Sequence, residues 1–183
     1  MAVVMQDAEL LLEFRNPSTK EKGFTAIVGK YQEKLYWHIR RMVVDHEDAN
    51  DVLQNVFIRV WNGLQNFRED SQLYTWLYRI ATNECLTFLE QKKRKSAVSI
   101  SDVESGLSNT IKADKYFDPT KLEWKLQLAM QQLPEKQRIV FNLRYYDEMP
   151  YEEMSRVLET SEGALKASYH HAVKKIEDFI LNH

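Results

Sequence analysis

Residues 49–64 constrain the fold of this 183-residue chain more than any other segment. Apolar side chains recur there three or four positions apart, which is the period of an α-helix with one buried face; they are Ala49, Val52, Leu53, Val56, Phe57, Val60, Trp61 and Leu64. Similar stripes occupy residues 24–42 and 73–89, and a shorter one lies at residues 10–14. Only 5 Gly and 4 Pro interrupt the whole chain, so these stripes predict a small bundle of α-helices.

Two periodic parts of the chain flank a polar stretch. Residues 96–118 hold five serines and no sustained helical period, which predicts a flexible linker. Helical periodicity returns after Asp118-Pro119, a pair typical of a helix start. It predicts helices near residues 119–132, 135–146, 151–158 and 161–180. We therefore expect an all-α protein of two small helical domains, residues 1–95 and residues 119–183, joined by the linker.

The last two predicted helices have the spacing of a helix-turn-helix. Ser161 stands where it can cap the second of them, while Glu159 occupies the turn position that usually holds a glycine. Two short helices with a tight turn are also common in structural bundles. From the pattern alone, DNA binding and structural packing are both open.

Charge and apolar content limit the classes of function. The net charge is −2, whereas a protein that grips duplex DNA alone usually carries a basic surplus. Here the basic surplus is local, at residues 92–95 and at Lys166 with Lys174 and Lys175. If the chain binds nucleic acid, we therefore expect a partner to assist the binding. No apolar run is long enough for a membrane span and the first residues do not form a signal segment. We therefore expect a cytoplasmic protein without membrane insertion.

No motif in the sequence predicts catalysis. There is no Gly-rich phosphate loop, no HExxH and no metal-ligand spacing. The adjacent His170 and His171 point about 100° apart on a helix and cannot share one metal ion as an i, i+4 pair does. The single cysteine, Cys85, excludes an internal disulfide, and its place on an apolar stripe favours a buried side chain. We assign no catalytic residue, no metal site and no cofactor.

The face of the second long helix opposite its apolar stripe carries Asp51, Gln54, Asn55 and Ile58. A solvated surface with a stray isoleucine is the ordinary interpretation of such a face. An apolar residue ringed by an acid and amides also resembles the centre and rim of a protein interface. Both interpretations stay open on the residues alone.

The third long stripe is accompanied by aromatic, amide and cationic residues on the other faces of its helix. They are Tyr74, Tyr78, Arg79, Thr82, Asn83 and Thr87, followed by Lys92, Lys93, Arg94 and Lys95. Such a mixture suits single-stranded nucleic acid, where bases stack on rings and phosphates meet cations. The alternative is that the tyrosines cover the bundle core and that the basic run is a solvated helix end. The combination favours contact with nucleic acid.

Three segments occur in an order that resembles a known family. They are DANDVLQNVFIRVWNGLQNF, then YTWLYRIATNECLTFL with KKRK, then LPEKQRIVFNLRYYDEMPYEEMSRVLETSEGALKASYHHAVKKI. This order resembles the extracytoplasmic-function group of bacterial RNA polymerase sigma factors, within the sigma-70 family. The resemblance implies two helical domains, region two and region four, in a protein that confers promoter specificity and opens the DNA strands. Its implied partners are core RNA polymerase, promoter DNA and an anti-sigma factor.

The resemblance also implies roles for individual residues. Asp51, Gln54, Asn55 and Ile58 match the surface that docks on the clamp helices of the largest polymerase subunit. The positions for the minus-ten element lie in the base-capturing loop 66–72 and on the melting helix with its basic end; they are Asn66, Arg68, Tyr78, Arg79, Thr82, Asn83, Lys92, Lys93 and Arg94. The positions for the minus-thirty-five element lie on the final helix; they are Ser161, Glu162, Lys166, Ser168, Tyr169, His170, Lys174 and Lys175.

Two departures from the family pattern leave the promoter sequence open. Thr87 and Glu90-Gln91 precede the basic run where many relatives have an Asp and an Arg-rich stretch. The final helix carries histidines and Lys166 where others carry arginines. A stand-alone helix-turn-helix regulator and a helical adaptor without a DNA role are the alternatives to a sigma factor.

Overall fold

The computed structural model describes residues 5–96 and 122–183, and the regular structure of both ranges is helical. The first range holds α1 (Asp7–Arg15), α2 (Lys20–Val43), α3 (His46–Gly63) and α4 (Leu73–Lys95). The second holds α5 (Leu122–Gln131), α6 (Glu135–Phe141), α7 (Tyr151–Leu158) and α8 (Glu162–Asn182). The predicted all-α fold class is confirmed, while the predicted linker and the helix start at Asp118-Pro119 lie outside the described residues.

Helices α1 to α4 form the first bundle. The stripe residues Val52, Val56 and Val60 of α3 are buried in its core, as the spacing predicted. Asp45 begins α3 because its carboxylate accepts a hydrogen bond from the backbone N–H of Asp48 at 3.0 Å. Helix α1 crosses α2 at Gly23, where a Cβ atom would lie 2.5 Å from a backbone nitrogen of α1. Only glycine therefore permits this close approach of the two helices.

Helices α5 to α8 form the second bundle, whose core includes Met130, Phe141 and Ile176. Helices α7 and α8 make the expected helix-turn-helix. Glu159 adopts the left-handed conformation (φ 52°, ψ 42°) that a glycine usually supplies at such a turn. Ser161 caps α8 by accepting a hydrogen bond from the backbone N–H of Ala164 at 3.3 Å, so its predicted capping role is confirmed.

Helix α6 runs directly into a π-helical turn over Asn142–Tyr146. The wider turn is closed by the backbone N–H of Asp147, which donates to the Asn142 carbonyl oxygen at 3.4 Å. Turns of this kind are rare and occur frequently at functional sites. Here the turn lies against α2 of the first bundle, while α7 lies against α4. The two bundles therefore pack directly on each other.

Candidate nucleic-acid and polymerase interfaces

The predicted docking face lies on the solvent side of α3. Asp51, Gln54, Asn55 and Ile58 are all exposed, and 53% of the Ile58 surface is accessible. Arg59 forms an ion pair with Glu84 of α4 beside this face, which ties the two helices together. The face is an exposed apolar side chain within a polar rim on a rigid helix, which is the composition of a small protein-binding surface.

The predicted base-capturing loop is held in place from its middle. Asn66 and Arg68 are exposed, whereas the Phe67 ring is buried, with its centroid 5.2 Å from that of Trp76. Arg15 of α1 donates a hydrogen bond to the Phe67 carbonyl oxygen at 2.7 Å. The same guanidinium pairs with Glu69 at 2.6 Å.

Sequence reasoning missed Arg15, because it is 52 positions from Phe67 and no local pattern joins the two. The consequence is a loop whose two exposed polar residues project from a fixed backbone.

Helix α4 divides its predicted DNA-contacting residues between two environments. Arg79 and Asn83 are exposed, while Tyr78 and Thr82 are only 4% and 1% exposed. The expectation that all four lie open on the outer faces of the helix is therefore corrected for Tyr78 and Thr82. Elements of the second bundle and the buried His38 cover them, so neither can meet a base in this arrangement. Their role in DNA binding stays a prediction.

The polar atoms of the two buried side chains have partners. The Tyr78 hydroxyl donates to Asp147 of the second bundle at 3.0 Å. Thr82 Oγ1 lies 3.0 Å from Nε2 of His38, whose ring meets Tyr78 edge to face. Burial, followed by the negative charge of Asp147, raises the pKa of Tyr78 above its usual value. The phenol is therefore neutral and acts as a hydrogen-bond donor.

The basic end of α4 is exposed, and three of its cations form ion pairs. Lys92 meets Asp48 of α3 at 2.7 Å, and Lys93 meets Glu135 of the second bundle at 2.8 Å. Arg94 meets Glu90 of the same helix at 2.5 Å. Exposed ion pairs of this kind are weak, so phosphates can replace these carboxylates.

The face of α8 that points away from the second bundle carries most of the residues predicted for the minus-thirty-five element. Ser161, Glu162, Lys166, His170, Lys174 and Lys175 are exposed. Four of them, at positions 162, 166, 170 and 174, recur every fourth residue and form one row along the helix. Leu165, Ala172 and Ile176 hold the opposite face in the core. The row therefore lies on the solvent side of α8.

Ser168 and Tyr169 are partly buried rather than fully outward. The Tyr169 ring stacks on Phe141 with centroids 5.9 Å apart, and burial raises its pKa. Tyr169 therefore supports the second bundle, and only its exposed part is available to DNA.

Metal binding, membrane insertion and thiol chemistry have little support within the two described ranges. Across them, no three His, Cys, Asp or Glu side chains come together as a metal site. None of the helices in the same ranges is both long and apolar enough to span a bilayer. Cys85 is buried, as its stripe position predicted, and burial raises the pKa of its thiol. The thiol is therefore protonated and unreactive.

The second bundle ends in a helix-turn-helix with a polar outer row, and the first carries the exposed α3 face. Together they define a class of helical protein that contacts DNA and a protein partner. Comparison with known families agrees with this class. Residues 27–95 match the model of Sigma-70 region 2, and residues 123–176 match that of Sigma-70, region 4. The first match ends with α4, and the second runs from the start of α5 into α8.

Individual relatives are similar over most of the chain. The RNA polymerase sigma-H factor of Pseudomonas aeruginosa is 31% identical over 183 aligned positions, which cover 96% of this chain and 95% of the relative. The ECF RNA polymerase sigma-E factor of Escherichia coli K12 is 30% identical over 166 positions, which cover 86% of each protein.

Two solved structures share the fold. CnrH, in complex with the cytosolic domain of CnrY, has a TM-score of 0.69 and 20% identity over 95% of this chain and 96% of that one. RpoE of Bartonella quintana, in complex with the anti-sigma factor NepR, has a TM-score of 0.70 and 18% identity over 87% of this chain and 97% of that one.

The chain belongs to the extracytoplasmic-function group of the sigma-70 family of RNA polymerase sigma factors. It directs promoter-specific initiation of transcription by RNA polymerase and is a regulatory subunit of that enzyme.

Proposed function

We propose that the first bundle (within residues 1–95) binds core polymerase and opens the minus-ten element, and that the second (within residues 119–183) reads the minus-thirty-five element. The observation that carries this division is the outward placement of two separate surfaces. One is the α3 face around Ile58, an apolar centre with a polar rim. The other is the α8 row that includes Lys166 and Lys174. A rigid helix supports each surface, so one chain can hold polymerase and promoter together.

The α3 face suits a protein partner. Burial of the exposed isoleucine favours binding but does not fix the orientation of the partner. The surrounding Asp51, Gln54 and Asn55 can form hydrogen bonds that fix this orientation. Docking through this face also explains how a chain with a net charge of −2 reaches DNA. Polymerase supplies most of the affinity, so this chain needs only local cationic contacts.

Strand opening requires no bond chemistry from this chain. A base that leaves the duplex loses a few kcal/mol of stacking, which a protein pocket can return through hydrogen bonds and aromatic contact. Arg79 and Asn83 present such donors and acceptors on α4, and the fixed loop presents Asn66 and Arg68 nearby in sequence. The chain acts as a non-catalytic specificity subunit in the cytoplasm, where polymerase and promoters are found.

Control by an anti-sigma factor forms part of the proposal. Both solved neighbours were determined as complexes, and one of their partners is described as an anti-sigma factor. The surfaces proposed here for polymerase and promoter are the ones whose occupation would silence the protein.

Run-off transcription with core polymerase, with and without this protein, tests the proposal. Promoter-dependent transcripts that require both components support it. A stand-alone regulator would instead bind an operator without polymerase, and a helical adaptor would leave transcription and DNA binding unchanged.

A separate experiment tests strand opening. Asn83→Ala should leave holoenzyme assembly and the closed promoter complex near normal while permanganate reactivity of start-site thymines is lost. A template with a pre-melted bubble should restore transcription, because it removes the step that Asn83 assists. Gln32→Ala, which removes an exposed amide from α2, is the matched control. Failure of the bubble template to rescue Asn83→Ala would assign the opening role to other residues.

A further inference from the structure

The base-capturing loop, residues 66–72, is anchored by a helix that is distant from it in sequence. Arg15, the last residue of α1, donates a hydrogen bond from Nη2 to the Phe67 carbonyl oxygen at 2.7 Å. Nη1 of the same side chain pairs with Glu69 at 2.6 Å. One planar guanidinium with several donors therefore bonds the loop at two points, on either side of Arg68.

The bond to the carbonyl oxygen contributes more to this anchor than the ion pair does. The ion pair is open to solvent, since the Arg15 and Glu69 side chains are 32% and 51% exposed, and exposed pairs contribute little. The bond to Phe67 is partly buried, and a hydrogen bond from a charged donor is about twice as strong as one between neutral groups. Loss of the guanidinium therefore removes the stronger of the two contacts along with the weaker one.

Helix α1 has a fixed position in the first bundle. Gly23 permits its close approach to α2. The buried Phe14 ring meets Trp61 of α3 edge to face, with centroids 5.5 Å apart. At the start of the helix, Asp7 accepts a hydrogen bond from the Tyr31 hydroxyl at 2.8 Å. The end of α1 is therefore a rigid point from which a side chain can hold a loop.

The backbone of the loop needs such a support. Glu69 has a φ of 59°, in the left-handed region that residues with a side chain rarely adopt. A backbone in this region persists only where the surrounding structure enforces it. The Phe67 ring, buried against Trp76, holds the loop on its inner side, and Arg15 holds it from α1. The exposed Arg68 therefore projects from a backbone that is fixed before DNA arrives.

The anchored loop forms part of the wall of a cavity of about 340 Å³. Asp70 and Ser71 line it from the loop, and Trp76 and Arg79 line it from α4. Because the Phe67 ring packs on Trp76, the position of the loop affects the shape of this cavity. A loop that is held in place beforehand costs no ordering free energy when a ligand enters.

We propose that Arg15 is a positioning residue for strand opening, which holds the base-capturing loop in the form that receives a base without contacting the base itself. This inference rests on the proposed function, because that function assigns the loop to the minus-ten element. Helix α1 precedes residues 27–95, which match Sigma-70 region 2. The proposed role therefore belongs to a part of the chain outside that match.

The first test measures how firmly the loop is held in the free full-length chain. Trypsin cleaves after arginine, so the rate of cleavage after the exposed Arg68, read by mass spectrometry, reports release of the loop. Arg15→Ala should speed this cleavage by about tenfold or more, because cleavage follows the released population and a hydrogen bond to a charged group is worth at least that factor. Lys22→Ala, which removes one cation and its ion pair with Glu13 of α1 at 3.4 Å, is the matched control and should be cleaved like the wild type. An unchanged rate in Arg15→Ala would overturn the proposal.

The second test separates positioning from charge. Arg15→Lys keeps the positive charge, but a compact ammonium group cannot bond the carbonyl oxygen and the carboxylate as a planar guanidinium does. Its cleavage rate and its promoter opening should therefore lie closer to those of Arg15→Ala than to those of the wild type. Full recovery by lysine would overturn the proposal, because charge alone, as in a direct contact with a DNA phosphate, would then explain the role of Arg15.

The third test measures strand opening by the holoenzyme. Arg15→Ala should lower the permanganate reactivity of start-site thymines by about tenfold, while polymerase affinity and the closed promoter complex stay near normal. A template with a pre-melted bubble should restore transcription. Loss of polymerase affinity, or no rescue by the bubble template, would make Arg15 a residue of general stability and overturn the proposal.

The wild type in the same assay separates this inference from the proposed function. Normal opening by both the wild type and Arg15→Ala rejects the role of Arg15 and keeps the proposed function. Absence of opening by the wild type rejects the proposed function, whatever the tryptic cleavage of the loop shows.

Discussion

Replacement of Ile58 by Glu, together with Gln54→Ala, should detach the protein from core polymerase without unfolding it. Ile58 is 53% exposed in the free chain, so docking can bury about half of its surface. Full burial of an isoleucine is worth about 1.5–3 kcal/mol, which assigns about 0.8–1.5 kcal/mol to this contact. The new carboxylate adds an unpaired charge whose desolvation costs several kcal/mol. The two effects together predict binding weaker by about a hundredfold or more.

The stability of the first bundle should change little, because Gln54 and Ile58 both lie on the solvent side of α3. Exposed substitutions usually alter the free energy of unfolding by less than about 0.5 kcal/mol. Circular dichroism and urea unfolding check this point, and a titration of labelled protein with core polymerase measures the dissociation constant. Leu12→Glu is the matched control, since Leu12 is 68% exposed on α1 and the charge change is the same.

Unchanged polymerase affinity in a correctly folded Gln54→Ala, Ile58→Glu variant would refute the assignment of α3 as the docking helix. If Leu12→Glu weakened polymerase binding equally, the effect would not be specific to the α3 face, because the added charge alone would account for the loss.

The remaining predictions concern DNA contact, helix packing and pH. Lys166→Ala and Lys174→Ala should each weaken promoter binding, by about 1–3 kcal/mol where a base contact is lost, without affecting polymerase affinity. An unaltered footprint over the upstream promoter element in both variants would place the recognition surface elsewhere. Gly23→Ala should lower the free energy of unfolding by about 1–2 kcal/mol through overpacking, whereas Gly29→Ala in the same helix, where a Cβ meets nothing within 4 Å, should raise it by about 0.5–1 kcal/mol. Urea unfolding that shifts both variants in one direction would contradict this packing. Burial raises the pKa of Tyr146 from 10.0 to about 12, so between these values the folded protein keeps a proton that the unfolded chain has lost, and stability present below pH 10.0 falls as the pH rises. The fall should be shallower in Tyr146→Phe, and identical slopes in the two proteins would exclude this phenol as the cause.

The helices and the outward faces could be predicted from the sequence because both depend on local periodicity. The stripe at residues 49–64 lies almost wholly within α3, and the same period placed Ile58 on the opposite face. The capping of α8 by Ser161 could also be predicted, because Ser161 and its partner Ala164 are only three positions apart. Each of these features is decided within a few turns of one helix.

The contact between the bundles could not be predicted, because it joins polar residues that are distant in sequence. Tyr78 and Asp147 are 69 positions apart, and Arg41 and Asp147 are 106 apart. A polar side chain off the apolar stripe is expected to face solvent unless another element covers it. The π-helical turn over Asn142–Tyr146 adds to the difficulty, since no residue pattern marks it.

The position of Asp147 has a genetic consequence. Its side chain bonds to Tyr78 and Arg41, so a substitution there leaves both the α3 face and the α8 row intact. Alleles that weaken the contact between the two bundles should therefore fall at Asp147 and Glu159. Alleles selected for loss of expression should fall on codons for α3 and α8. Screens for these two kinds of allele would thus recover two separate sets of codons.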